Sequence, residues 1–185
     1  MPKGILIFGC GGTGKTTLGR ELARLLRFYP IDLDTYYWRW DTKIPYTTFR
    51  PDEEIVNDLT NEIAKHPDFV MSGMMGSMRG PFLPLFDLAV LLTVPYEIRM
   101  ERLRAREFAR FGDRVLAGRD MYESSKRFLE EAARNDTDEP PGVSVRRVEQ
   151  RAAELNCPLL RMDGTKDITE TAAYIAERFK HLEGI

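Results

Sequence analysis

Cysteine is scarce here, with only Cys10 and Cys157 among 185 residues, so no disulfide framework holds the chain and a reducing compartment is the default. Histidine is as scarce: His66 and His181 stand alone near predicted helix ends, with no partner at metal-ligand spacing. An excess of either charge is also missing. With 27 basic and 29 acidic residues the net charge is −2, which leaves no global positive field for nucleic acid or an anionic membrane. Any anion site must be local. No apolar run approaches the length of a membrane span, and the run Ile5 to Phe8 is too short for the core of a signal peptide. The chain is expected to be cytoplasmic, a monomer or homodimer, and to bind neither nucleic acid nor membrane.

What is present is an ordinary globular composition, 43% apolar and 30% charged, of a length that favours one domain with a proper core. The run Gly4 to Phe8 reads as a strand buried on both faces, and Leu18, Leu22, Leu25 and Leu26 recur behind it at helical spacing. A second strand is predicted over Phe28 to Leu33, and Pro51 with Asp52, Glu53 and Glu54 has the N1 proline and first-turn acids of a helix start. Further strands are predicted over Asp68 to Ser72, Leu88 to Val94 and Pro158 to Met162, with a long helix from Pro95 to about Phe111 and a closing helix over Ile168 to Leu182. Strands alternating with helices imply an α/β fold of three layers around a five-stranded parallel sheet. The polar, glycine-interrupted stretch 107–142 reads as an inserted helical lid, with Pro140, Pro141 and Gly142 as a hinge candidate.

Between the first strand and its helix, Gly9 to Thr16 reads GCGGTGKT, which satisfies G-x-x-x-x-G-K-[ST] in the context that the phosphate-loop motif requires. The chemistry explains the residue types. Glycines let successive N–H groups turn inward around a phosphate, and the helix N-terminus beginning near Lys15 adds a positive dipole end. The nucleotide set is Gly9, Gly11, Gly12, Thr13, Gly14, Lys15, Thr16 and Thr17. Lys15 is placed to bridge the β- and γ-phosphates of ATP, and the Thr16 hydroxyl to ligate Mg²⁺.

Two other patterns have both a functional and a plain reading. Arg99, Arg102, Arg106 and Arg110 fall within one narrow helical stripe: either like charges that an anion would relieve, or a solvated face balanced by Glu97, Glu101 and Glu107. Asp32 and Asp34 end the second strand, and period two puts both on one side of an extended chain. They are either ligands at the carboxyl end of a sheet or turn residues, with Asp34 capping the helix that follows. The aromatic group Tyr36, Tyr37, Trp38 and Trp40 either stacks on a flat acceptor or packs the core or lid.

No Asn-Lys-x-Asp guanine motif occurs, which disfavours a GTPase. An AAA+ motor would carry an acidic pair after an apolar strand, whereas Leu88 to Val94 runs into Pro95 and Tyr96. Over nearly its whole length the chain resembles the nucleoside monophosphate kinase and shikimate kinase superfamily. The carrying residues are GCGGTGKT, Asp32 to Asp34, ERLRAR at Glu101 to Arg106 and MDGT at Met162 to Thr165. The resemblance implies a kinase that moves the γ-phosphoryl of Mg-ATP to a small-molecule hydroxyl or phosphate. By resemblance Arg102 lies near the adenine and Arg106 near the moving phosphoryl, while Asp32 helps hold Mg²⁺ and Asp34 contacts the acceptor hydroxyl. Arg50, in FRPDE, and Arg79, in SGMMGSMRG, occupy places of acceptor-binding elements. That second loop is rich in methionine rather than glycine, and no Gly-x-Pro-Arg element is present, so the acceptor itself stays open. A nucleotide-dependent ATPase or regulator without an acceptor is the alternative.

Overall fold

A computed structural model describes residues 3–136 and 144–184. Five strands, β1 (Lys3–Phe8), β2 (Tyr29–Asp32), β3 (Asp68–Ser72), β4 (Phe86–Thr93) and β5 (Leu159–Asp163), form one sheet in the order β2-β3-β1-β4-β5. Every pairing is parallel. Because side chains alternate across a strand, β1 feeds two cores. Ile5 and Ile7 pack with Leu18 and Leu22 of α1 (Lys15–Leu26) and with Ile175 and Phe179 of α7 (Ile168–Glu183). Leu6 and Phe8 pack on the other side, with Ile55 and Leu59 of α3 (Asp52–Lys65) and Val148 of α6 (Val145–Ala153). The result is the three-layer parallel α/β architecture expected from the alternation of elements.

Three local readings change. Pro51 precedes α3 as its cap, with ψ 141°, rather than occupying the first helical position. The β-region ψ is where a cap residue belongs, and the acids at Asp52, Glu53 and Glu54 still meet the helix N-terminus. Second, β2 stops at Asp32, Leu33 turns into helical geometry (φ −59°, ψ −31°), and Asp34 opens the single turn α2 (Asp34–Tyr37). Asp34 therefore reaches the cleft by a turn, not by strand alternation. Third, the stretch read as a lid is continuous with α4 (Tyr96–Phe111) at its start, where Glu107 is buried. It then contains α5 (Tyr122–Ala133), whose Ala132 packs on Met100 and Leu103 of α4. The hinge candidate at 140–142 lies outside the described residues.

The carboxyl ends of β1 and β4 sit at the middle of the sheet, and the chain leaves them in opposite directions, from β1 to β2 at one edge and from β4 to β5 at the other, which is where an open α/β sheet forms its ligand crevice. The turn after β5 closes this crevice. A Cβ on Gly164 would lie 2.7 Å from the Thr13 carbonyl oxygen and 2.7 Å from a Val94 methyl. Gly164→Ala is therefore expected to destabilise the protein by about 1–3 kcal/mol through overpacking. A lowered urea midpoint at unchanged m-value is the measurement that checks it.

Candidate functional site

The glycine loop leaves β1 at Gly9, whose φ of 148° and 2.3 Å approach of a built Cβ to the Leu92 carbonyl oxygen leave no room for a side chain. Thr13 is buried and donates its hydroxyl to the Cys10 carbonyl at 3.0 Å, which ties the loop across its own base. Gly14 caps α1 in left-handed geometry, with no side-chain cap and no acid in the first turn. The first N–H groups of α1 thus meet no carboxylate of their own, the condition for an anion at a helix N-terminus. Lys15 folds back to donate to the Cys10 carbonyl at 2.8 Å. Burial pushes its pKa down, Asp34, Cys10 and Asp32 oppose that, and Arg106 adds to it. A half-buried ammonium beside open backbone donors fits the phosphates of a nucleotide.

Asp32 stands beside the loop. Burial raises its pKa first and Asp34 second, while the Asp34 N–H (3.3 Å), Arg20 (3.7 Å) and the Thr16 hydroxyl oppose the rise. Thr16 and Asp32 are thus two oxygen donors in contact at the loop, a pair that suits a hard divalent cation shared with phosphates. Asp34 itself is exposed, and Thr35 donates to the Asp32 carbonyl at 2.7 Å.

The arginine stripe of α4 divides by depth. Arg99 is 1% exposed and donates to the Gly11 carbonyl at 3.0 Å. Arg102 donates to the Gly164 carbonyl at 3.0 Å. Arg106 is close enough to bias Lys15 and lies 5.4 Å over the Phe128 ring, and Arg110 lies 4.9 Å over Tyr46. The stripe faces the crevice instead of forming a surface balanced by its neighbouring acids. A cavity of about 260 Å³ between the loop and the turn after β5 is lined by Thr13, Gly14, Thr17, Arg102, Asp163, Gly164 and Lys166. Asp163 there is held low, chiefly by hydrogen bonds from the Thr165 hydroxyl and N–H. Asp163, Gly164 and Lys166 were not assigned from sequence. Their only signal is the glycine that follows a strand end in MDGT.

On the opposite side Arg50 bonds Asp58 at 2.6 Å, lies 3.5 Å from Glu54 and donates to the Tyr36 carbonyl at 3.4 Å. Arg79 is held by Glu154 at 2.5 and 3.2 Å and by the Gly76 carbonyl at 3.1 Å. The aromatic group splits. Tyr36 and Tyr37 pack against the core, and the Tyr37 hydroxyl donates to the Met74 carbonyl at 2.6 Å. Trp38 stacks on Phe49 at 4.1 Å, and Trp38 and Trp40 both meet Tyr46 edge-on. Tyr46 is the residue of this wall that the sequence did not single out.

A protein-family model described as "AAA domain" matches residues 5–110, from β1 nearly to the end of α4. "Uncharacterized protein YqaC" of Bacillus subtilis (strain 168) is 36% identical over 173 residues, 92% of this chain and 93% of that protein. A cytidylate kinase of Pyrobaculum neutrophilum is 27% identical over 135 residues, 68% of this chain and 72% of that one. Among solved structures, shikimate kinase from Acinetobacter baumannii in complex with shikimate superposes with a TM-score of 0.51 at 19% identity, covering 96% of this chain and 92% of that one, a likeness of fold. The family's AAA label applies to a chain whose β4 runs into Val94, Pro95 and Tyr96 with no acidic pair.

Because burial lowers the Lys15 pKa, the unfolded chain binds this proton more tightly than the folded one. Between the folded pKa and the ordinary lysine value of 10.5, Lys15 therefore makes stability rise with pH. Lys15→Met should fold, should show a shallower rise of ligand-free stability in that alkaline window, and should lose the stabilisation that Mg-ATP gives the parent, about 2.7 kcal/mol at a hundredfold excess over Kd. Denaturation midpoints against pH, with and without Mg-ATP, measure all three.

Proposed function

The chain belongs to this AAA domain family of phosphate-loop proteins, and on that premise we propose that it is an ATP-dependent kinase acting on a small-molecule hydroxyl. The observation that carries the reading is the meeting of Lys15, Asp34 and Arg106: Asp34 is the strongest charge acting on the half-buried Lys15 ammonium, and Arg106 opposes it. An ATPase or switch needs no exposed carboxylate facing its phosphate lysine across a crevice with a second wall.

In this reading the first N–H groups of α1 and Lys15 hold the triphosphate, with the adenosine end in the cavity beside Thr17 and Arg102. Thr16 and Asp32 would hold a magnesium ion, which when bound supplies positive charge against the phosphate oxygens. Asp34 accepts the acceptor hydroxyl's proton as the new O–P bond forms and the bond to the ADP oxygen breaks. Arg106, reaching over from α4, stabilises charge on the moving phosphoryl, so its effect is confined to the transition state. Most of the catalysis is positioning.

ADP release in the presence of an acceptor, measured against the water-only rate, tests the proposal, and a rate that no acceptor raises overturns it. Asp34→Asn should lower acceptor-dependent turnover by about 10²–10⁴-fold with ATP affinity unchanged. Asp32→Asn should instead raise the magnesium concentration needed for half-maximal rate. Arg106→Ala should cut kcat by about 10²–10³-fold while sparing ground-state nucleotide binding. Full turnover in both aspartate variants would reduce the pair to a strand-end turn.

A further inference from the structure

On the acceptor side are the two arginines assigned to an anionic acceptor, and each of their guanidinium nitrogens already has a partner. In Arg50, Nη2 is bonded to Asp58 at 2.6 Å, Nε is 3.5 Å from Glu54 and Nη1 donates to the Tyr36 carbonyl at 3.4 Å. In Arg79, Nε and Nη2 grip Glu154 at 2.5 and 3.2 Å, and Nη1 donates to the Gly76 carbonyl at 3.1 Å. Arg50 thus lies between two carboxylates, of which Glu54 also meets Arg39 at 3.1 Å, while Arg79 shares Glu154 with Arg151, whose Nη1 donates to it at 2.8 Å. An acceptor phosphate or carboxylate approaching Arg50 would have to displace Asp58 and then sit against it and Glu54, a like-charge juxtaposition that specific sites use to reject ligands.

What the same side does present is aromatic. Tyr46 stands at its centre, 5.1 Å from Trp40 and 5.7 Å from Trp38 by ring centroids, and its phenol is close enough to the transfer site to feel Arg110, Asp34 and Arg106. Its backbone is left-handed at φ 60°, a conformation that a bulky residue keeps only where its surroundings impose it. Trp40 is 54% exposed. Flat apolar faces next to a hydroxyl-directed carboxylate suit a ring with hydroxyl groups and no net charge.

Resting on the kinase reading above, we propose that the acceptor is an uncharged, ring-shaped hydroxyl compound of the nucleoside or sugar class, selected against its phosphorylated and carboxylated counterparts by the carboxylates of Asp58 and Glu54 that hold Arg50. The arginines left for phosphate lie on α4: among the described residues neither Arg106 nor Arg110 makes an ion pair, and both face the crevice. Positive charge is thus kept for the phosphoryl in motion and withheld from the body of the acceptor.

The intact protein would be assayed for ADP release with the four ribonucleosides and common hexoses, and with their monophosphates and shikimate, and each compound titrated calorimetrically in the presence of a non-hydrolysable ATP analogue. The expected result is that the best neutral compound exceeds the best anionic one by at least about 100-fold in kcat/KM, the scale on which unmet polar groups discriminate. Asp58→Asn, and Asp58→Asn with Glu54→Gln, should free Arg50 and shift that ratio at least about 10-fold toward the anionic counterpart, a gain that loss of structure does not produce. A preference for monophosphates or shikimate overturns the inference while leaving the kinase reading intact. Binding of neutral compounds without any turnover overturns the kinase reading, and the acceptor role falls with it. Binding of none of the neutral compounds overturns the inference.

Discussion

Arg99, on the first turn of α4, carries its charge inside the protein, and the phosphate loop is built around that fact. Its guanidinium donates to the Gly11 carbonyl at 3.0 Å, and its own carbonyl oxygen would lie 2.7 Å from any Cβ on Gly12. A buried guanidinium is tolerable only when hydrogen-bonded, and here the bond, from the Arg99 side chain to the Gly11 backbone carbonyl, fixes α4 against the loop. Everything downstream on the helix inherits that register. At about 1.5 Å per residue, Arg102, Arg106 and Arg110 fall in succession beside the turn after β5, near Lys15, and over Tyr46. One contact sets the span of the site.

The two groups beside the loop are held in opposition. Burial pushes the Lys15 pKa down and the Asp32 pKa up, and the opposite charges nearby, Asp34 and Asp32 on Lys15 and Arg20 on Asp32, do not outweigh it. Strongly perturbed pairs in a crevice are where function concentrates. A polyanion relieves Lys15, and a cation bound with it relieves Asp32. The ligand-free site is thus unfavourable in a way that its ligands reverse, and nucleotide and metal are expected to enter as a unit.

How much of this was legible in the sequence follows from how local each feature is. The phosphate loop is contiguous and its residue types answer to backbone geometry, so GCGGTGKT could be read directly. Leu18 and Leu22 fall on the core face that their spacing marks, while Leu25 lies 36% exposed at the edge of that face. The arginine stripe was visible as spacing, but its two readings differ only in what stands opposite, and that is tertiary. Arg79 illustrates the limit, since its partner Glu154 is 75 positions away. Arg50 illustrates a second one: its partners Glu54 and Asp58 lie four and eight residues on, within view, yet only the geometry says that they engage Nε and Nη2 while the Tyr36 carbonyl takes Nη1. The left-handed Tyr46 has no residue signature, because the position lacks the glycine or asparagine that usually marks such backbone, and the right-handed turn at Leu33 is open to any residue.

The distribution of arginines across the crevice then has a mechanistic meaning. Preorganised charge accelerates a transfer only where charge develops, and charge that holds the ground state equally well adds binding without rate. On α4 the guanidiniums of Arg106 and Arg110 rest on aromatic faces, contacts weaker than ion pairs and readily exchanged for phosphoryl oxygens. Across from them Arg50 and Arg79 are locked by carboxylates. A crevice arranged this way is polarised. Arg106 and Arg110, which make no ion pair among the described residues, sit on the helix that anchors to the phosphate loop, and the opposite wall contributes shape, so positive charge is directed to the phosphoryl and not to the acceptor's body.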